Sequence, residues 1–464
     1  MIVPQTRLLL WVALGILPFL ALAALVPESA LPAGALIAAV TAVVLVDSAR
    51  ARRSLDGIRV EPPAVVRLSK DRDGTIELQV RNETRRAKRL RIGLALPREI
   101  RSTDEDVTTV LPAGAACARL AWRCTPLKRG HYRLENCYLE SGSPWGFWSL
   151  RTRQPAGAEL RVYPNLLTER KSVAGLFLNR GNFGAHAQRQ VGKGRDFEKL
   201  RDYVHGDDFD EIHWKATAKR GRPVTKVFQI ERTQEVYVVI DGSRLGARTM
   251  QRREPKADAP MAAAEDLRDP LDPAHSSSIL ERFVTAALVL GLAAEQQGDL
   301  FGLLTFSDRV QQFVRAKNGK AHYTACRDAI YALQPRIVTP DFDELCSFIR
   351  LRLRRRALLV FLTSLDDPVL AEGFVHSLDL VCRQHLVLVN MLQPPGAVPL
   401  FSDPNVASLE GIYRHLGGHI LWHQLCELEK ILQRRGVRFS LLANERLSAQ
   451  LVAQYVDVKR RQLI

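Results

Sequence analysis

Val236-Tyr-Val-Val-Ile-Asp-Gly-Ser243 decides how the larger, C-terminal part of this chain is read. Val236 to Ile240 is apolar without a break. A strand with no polar face belongs in a parallel sheet covered on both sides. The run ends in a carboxylate, a glycine and a hydroxyl. Open α/β sheets bind ligands just beyond the carboxyl ends of their strands. Asp241 and Ser243 therefore mark the candidate site.

Similar runs follow at Phe301–Phe306, Ala357–Leu362, His385–Leu392 and Val437–Leu442. Helical patterns separate them. Ser278-x-x-Glu281 is a capping box that opens a helix through Gln297. Further helices are expected over Tyr323–Leu333, Phe342–Leu353, Leu370–Cys382, Leu409–Arg435 and Arg446–Arg461. Ser307-Asp-Arg309 turns into Val310–Val314, an expected antiparallel edge strand. Strands alternating with helices imply a mainly parallel sheet with helices on both faces. This domain is expected over residues 190–464. Residues 254–273, rich in Pro, Ala and Asp, read as a flexible acidic insertion.

Residues 57–165 differ. Thr75–Val80 and Leu90–Leu96 alternate apolar and polar, as half-buried strands do. Asp73-Gly74, Pro112-Ala-Gly114 and Lys128-Arg-Gly130 are turn signals. A small β-sandwich is expected. Between two strands lie Arg81, Arg85, Arg86, Lys88, Arg89 and Arg91, a solvated loop or a contact to anionic lipid.

Residues 1–50 are apolar. Leu8–Val26 is long enough to span a bilayer, and Leu31–Val46 is a second, slightly short run. Arg7 precedes the first, and Arg50, Arg52 and Arg53 follow the second. The positive-inside rule puts both ends in the cytoplasm. The expectation is a two-helix transmembrane hairpin. The protein would be multi-pass in the cytoplasmic (inner) membrane, with its soluble domains in the cytoplasm. A cleaved signal peptide competes, through Ala21-Leu-Ala23.

The 464 residues accommodate two or three domains, and the formal charge of +16 favours an anionic partner or surface. Seven cysteines, an odd number with no CxxC, argue against a disulfide framework and a structural zinc site.

Two blocks carry a family signature. One is Lys128-Arg-Gly-His-Tyr132, Ser143-Pro-Trp-Gly-Phe147 and Leu160-Arg-Val-Tyr-Pro164. The other is Gly192-Lys-Gly-Arg-Asp-Phe-Glu-Lys-Leu-Arg-Asp-Tyr203, Gly206-Asp-Asp208, Ile212-His-Trp-Lys-Ala-Thr-Ala218 and Asp241-Gly-Ser243. Together they resemble the "domain of unknown function 58" family. The resemblance implies a membrane-anchored protein with a β domain and a von Willebrand factor A-like, Rossmann-like α/β domain. Family members are often encoded beside MoxR-type AAA+ ATPases. It therefore also implies assembly or maturation of client proteins together with such an ATPase.

A-type domains with a working site hold a divalent ion through Asp-x-Ser-x-Ser, a threonine on a second loop and an aspartate after a later strand. Asp241 and Ser243 match the first two positions, but Leu245 stands in the third. Thr339 is the expected second-loop hydroxyl. Ser364 takes the aspartate place, with Asp366 and Asp367 just beyond. The expectation is a degenerate site in which Asp241, Ser243, Thr339 and Asp366 hold at most a weak Mg2+, because magnesium demands near-octahedral oxygen ligands. The alternative is that Asp241 only bonds nearby backbone amides. No other cofactor is expected.

The residues favour a non-catalytic interaction factor with partner contacts at Asp241, Ser243, Asp207 and Asp208. One competing reading is a metal-dependent hydrolase built on Asp207, Asp208, Asp210 and His213. No HExxH or second cluster supports it, and Trp214 is expected to pack this segment against the sheet. The other is a membrane-proximal nucleic-acid binder, for which no aromatic interleaving speaks.

Overall fold

The computed structural model describes residues 1–25, 30–167, 169, 191–204, 209–229, 234–250, 277–400, 402 and 408–461. The chain divides into two units, Met1–Asn165 and Leu166–Ile464.

The first unit is rich in strands. They are β1 (Ile2–Pro4), β2 (Ile58–Glu61), β3 (Val65–Ser69), β4 (Gly74–Asn82), β5 (Lys88–Leu94), β6 (Ile100–Ser102), β7 (Val107–Leu111), β8 (Cys117–Pro126), β9 (Gly130–Gly142) and β10 (Trp148–Tyr163). One sheet runs β1-β10-β9-β5-β7, with β3 also on β10; the other runs β2-β4-β8-β6. The alternation read from the sequence sets which side chains turn inward. In β4, Ile76, Leu78 and Val80 are buried while their neighbours face out. They join Trp122 from β8 and Ile92, Leu139 and Leu160 from the other sheet in one core. Trp122 satisfies its indole N–H by donating to Ser102 Oγ at 2.9 Å.

The same unit carries the apolar helices α1 (Thr6–Trp11), α2 (Leu17–Leu25), joined by a π-helical segment Val12–Ile16, and α3 (Ala30–Ala51). Among the described residues one helix, Leu31–Ala51, is long and apolar enough to cross a membrane, and Thr6–Ala21 is a shorter apolar helix. The expected ranking of the two runs is thus reversed, because the second helix continues past Val46 through Asp47 to Ala51. Asp47 can stay helical and buried because it has partners. Its Oδ2 accepts from Ser143 Oγ at 2.5 Å and from Phe147 N at 3.3 Å, and its Oδ1 accepts from Trp145 N at 3.3 Å. Trp148 Nε1 donates to Val44 O at 3.0 Å. Strand β1, just before α1, pairs with Trp148–Leu150. The Ser143–Trp148 turn therefore grips the ends of both apolar segments.

The second unit contains an antiparallel ribbon, β11 (Val191–Asp202) with β12 (Val224–Gln229), and between them the short helix α4 (Trp214–Arg220). Next come β13 (Glu235–Asp241), the short antiparallel pair β14 (Thr249–Met250) and β15 (Ser277–Ser278), α5 (Ile279–Gln296), β16 (Leu300–Phe306), β17 (Val310–Lys317), α6 (Lys320–Ile330) and α7 (Phe342–Arg352). The chain ends with β18 (Leu358–Leu362), α8 (Pro368–Cys382), β19 (Leu386–Leu392), α9 (Leu409–Arg434), β20 (Arg438–Leu442) and α10 (Leu447–Arg460). The sheet order is β17-β16-β13-β18-β19-β20, with only β17 antiparallel. Ser278 caps α5 by accepting from Glu281 N at 3.2 Å, as the capping box predicts. Helix α6 begins three residues before the expected Tyr323, directly after Gly319, whose φ of 96° suits glycine alone.

Period-two alternation splits β13 between two cores. Val236, Val238 and Ile240 pack with Phe283, Leu290, Leu451 and Tyr455 on one face. Tyr237 and Val239 pack with Phe342, Phe374, Leu378 and Leu432 on the other. Each fully buried side chain of this size is worth about 1.5–3 kcal/mol. Close approach also matters: a Cβ on Gly302 would meet the Tyr237 ring at 2.3 Å. From β13 the chain adds β16 on one side and later β18 on the other. The direction of strand addition thus reverses at the carboxyl end of β13, where a crevice is expected.

Candidate functional site

Asp241 closes β13 at that reversal and is 1 % exposed. Its Oδ1 accepts from Ser243 N at 2.9 Å, and its Oδ2 accepts from Thr363 Oγ1 at 2.6 Å. Burial pushes the Asp241 carboxyl above its ordinary value of 3.8, and the bonds from Thr363 and Ser243 oppose that shift. Ser243 is itself buried and caps the turn Arg244–Ala247 by accepting from Leu245 N at 3.3 Å.

Backbone bonds fix the loops around this pair. Gly242 N donates to Phe306 O at 2.8 Å, Arg336 N to Gly242 O at 2.8 Å, and Arg244 N to Val338 O at 3.1 Å. The last two clamp the segment after α6 against the β13 loop and leave Ile337, between them, 91 % exposed. Arg244, Arg248, Arg309 and Arg336 are exposed around this edge. Arg336 also faces Asp308 at 3.6 Å. The edge is thus a buried, hydrogen-bonded carboxylate beneath a basic rim that presents the Ile337 side chain.

This set does not fit a hard divalent ion. Such an ion needs several oxygen ligands in near-octahedral order. Both Asp241 oxygens accept protein hydrogen bonds, Leu245 is buried in the third position, and Asp366 is ion-paired with Arg248. Among the described residues no group of three or more His, Cys, Asp or Glu could hold a metal.

Comparison with known proteins adds the family. The model "Protein of unknown function DUF58" matches residues 199–265 and 274–399. This region belongs to the DUF58 family. No curated protein matches the chain. Among solved structures, BatB from Bacteroides thetaiotaomicron is similar at 13% identity over 49% of this chain and 99% of that one, with a TM-score of 0.30. An aerotolerance-related membrane protein from Bacteroides fragilis has 13% identity over 48% and 98%, with a TM-score of 0.29. An uncharacterized membrane spanning protein from Vibrio fischeri has 12% identity over 49% and 98%, with a TM-score of 0.17.

Within the DUF58 region the expected site residues separate. Asp241 and Ser243 are together, but both are buried, so the exposed rim above them is what a partner can touch. Thr339 is exposed, and the hydroxyl on Asp241 is that of Thr363 instead. The parallel register explains this: Ile240 pairs with Leu362, which sets Asp241 beside Thr363 at the next step. Thr363 lies one residue before the Ser364 that motif counting selects, and only the strand register distinguishes the two. Asp366 turns to Arg248, and Asp367 caps α8 by accepting from Val369 N at 3.0 Å.

Asp207 and Asp208 lie outside the described residues, as does the acidic insertion 254–273. His213 is the N-cap of α4, its Nδ1 accepting from Ala216 N at 3.0 Å. Trp214 is 69 % exposed and does not pack against the sheet as expected. A helix of only about two turns after a capping histidine holds its first residue outward. Phe209, 74 % exposed, stacks on Tyr203 at 6.4 Å nearby in sequence. All seven cysteines are free, and burial pushes the Cys346 thiol up to about 12.

Proposed function

We propose that this chain is a membrane-anchored, non-catalytic interaction factor with a von Willebrand factor A-like domain. It docks a MoxR-type AAA+ ATPase, for work on client proteins, through the carboxyl edge of its parallel sheet. The anchor is the N-terminal apolar hairpin in the cytoplasmic membrane, with both units on the cytoplasmic side. The observation that carries the reading is Ile337. It is 91 % exposed yet held by backbone bonds on either side, from Arg336 N to Gly242 O and from Arg244 N to Val338 O. A rigid, exposed aliphatic side chain loses little entropy on binding. Arginine is enriched at binding hot spots, and here the rim supplies it. Asp241 acts beneath this edge as a positioning residue that ties β13 to β18.

Co-purification from native membranes tests the proposal, with wild type beside Ile337→Asp and bound proteins identified by mass spectrometry. An AAA+ ATPase retained by wild type and lost by the variant is the expected result. Equal recovery with both places the contact elsewhere. Recovery with neither removes the ATPase from the account.

A further inference from the structure

A cleft of about 1180 Å3 opens in the first unit, where β5 and the loop before it, β7, β9 and the Ser143–Gly146 turn meet the ends of the apolar segments. Seven cations and two carboxylates line it. Both carboxylates are already engaged, Asp106 by Arg91 and Glu140 by Arg151. That leaves Arg7, Arg50, Arg53, Arg86, Lys88 and Arg89 with no carboxylate in ion-pair distance among the described residues. Like charges gathered in one concavity repel one another, and they focus the field on an anion. The Lys88 ammonium is in addition partly desolvated. Burial lowers its pKa, Asp56 raises it and Arg86 lowers it.

The cleft is built rather than incidental. Lys88 Nζ donates to Ser54 O at 2.6 Å, tying β5 to the segment after α3. Asn82 Nδ2 donates to Arg86 O at 2.9 Å and Gly114 N to Arg85 O at 2.8 Å, fixing the arginine loop. Asp47 and Ser143 hold the far wall. Its place in the fold selects the ligand. Arg7 and Arg50 sit in the first turn of α1 and the last turn of α3. Leu9, Leu10 and Trp11 on one helix, and Leu45 and Val46 on the other, are exposed just beyond them. Cations at the foot of exposed apolar helices match a lipid, whose phosphate and acyl chains are joined, better than a free anion.

We propose that this cleft binds the phosphate headgroup of an anionic glycerophospholipid, with the acyl chains along α1 and α3. This rests on the membrane-anchored reading above. The test uses the full chain in a non-ionic detergent. Native mass spectrometry counts retained phosphatidylglycerol or phosphatidylcholine, for wild type and for Arg86→Gln/Arg89→Gln. Both arginines are exposed, so the variant should melt with wild type when no lipid is added. The expected result is preferential retention of phosphatidylglycerol by wild type and roughly thirty-fold weaker retention by the variant, from the loss of two surface cations. Equal retention by both proteins overturns the proposal, as does wild type showing no preference between the two lipids. Displacement of phosphatidylglycerol by millimolar inorganic phosphate would reassign the cleft to a soluble anion and overturn the lipid. Release of the protein from membranes by alkaline carbonate would instead defeat the anchored reading itself.

Discussion

Asp241 Oδ2 accepts from Thr363 Oγ1 at 2.6 Å, joining the carboxyl ends of two neighbouring parallel strands. The first residue of the expected ion motif is here an internal tie. A buried carboxylate with two neutral donors is stable as a positioning device, but it keeps a charge out of water.

That charge makes the tie pH-dependent. The Asp241 pKa is raised above 3.8 in the folded state. Between 3.8 and the raised value the folded chain keeps a proton that the unfolded chain has lost, so stability falls as pH rises through this window. Asp241→Asn removes the titrating carboxyl. Melting of the full chain in detergent should show the variant gaining on wild type as pH rises from 3.8. Parallel profiles would contradict the assignment.

His385 has the opposite sign. It is 4 % exposed, and neither ring nitrogen has a hydrogen-bond partner among the described residues. Burial lowers its pKa from 6.5. Below 6.5 the unfolded chain takes up a proton that the folded chain resists, so stability is lost as pH falls through this range. His385→Asn should flatten that acid loss in the same melting series. An unchanged acid limb would show that other groups cause it.

The parallel sheet was legible because β13, β16 and β18 are apolar on both faces and bounded by capping signals such as Ser278. The two-sheet unit was legible from alternation such as Ile76, Leu78 and Val80. Contacts across sequence were not. Thr363 becomes the partner of Asp241 only once the register of β13 on β18 is known. Asp47 reads as the polar end of an apolar run, yet its partner Ser143 is 96 residues away. Trp214 misled because large aromatic residues are usually well buried, whereas a short capped helix holds this one outward.

The Asp47 latch gives a third expectation. Asp47→Ala would strand the Ser143 hydroxyl and the N–H groups of Trp145 and Phe147. Leaving buried donors unsatisfied costs about 1–3 kcal/mol each. The first unit should lose about 3 kcal/mol in denaturant melts, and the Ser143–Trp148 turn should become open to proteolysis. Asp47→Asn, which keeps one acceptor, should lose less. A wild-type cleavage pattern in the alanine variant would show that the latch is dispensable.

The most direct measurement of the central claim is the affinity of the recovered AAA+ ATPase for the full chain, wild type beside Ile337→Asp, at matched thermal stability. Truncating a hot-spot residue costs at least about 2 kcal/mol, so the account predicts roughly thirty-fold weaker binding for the variant. Equal affinity of the two proteins would contradict docking through this edge.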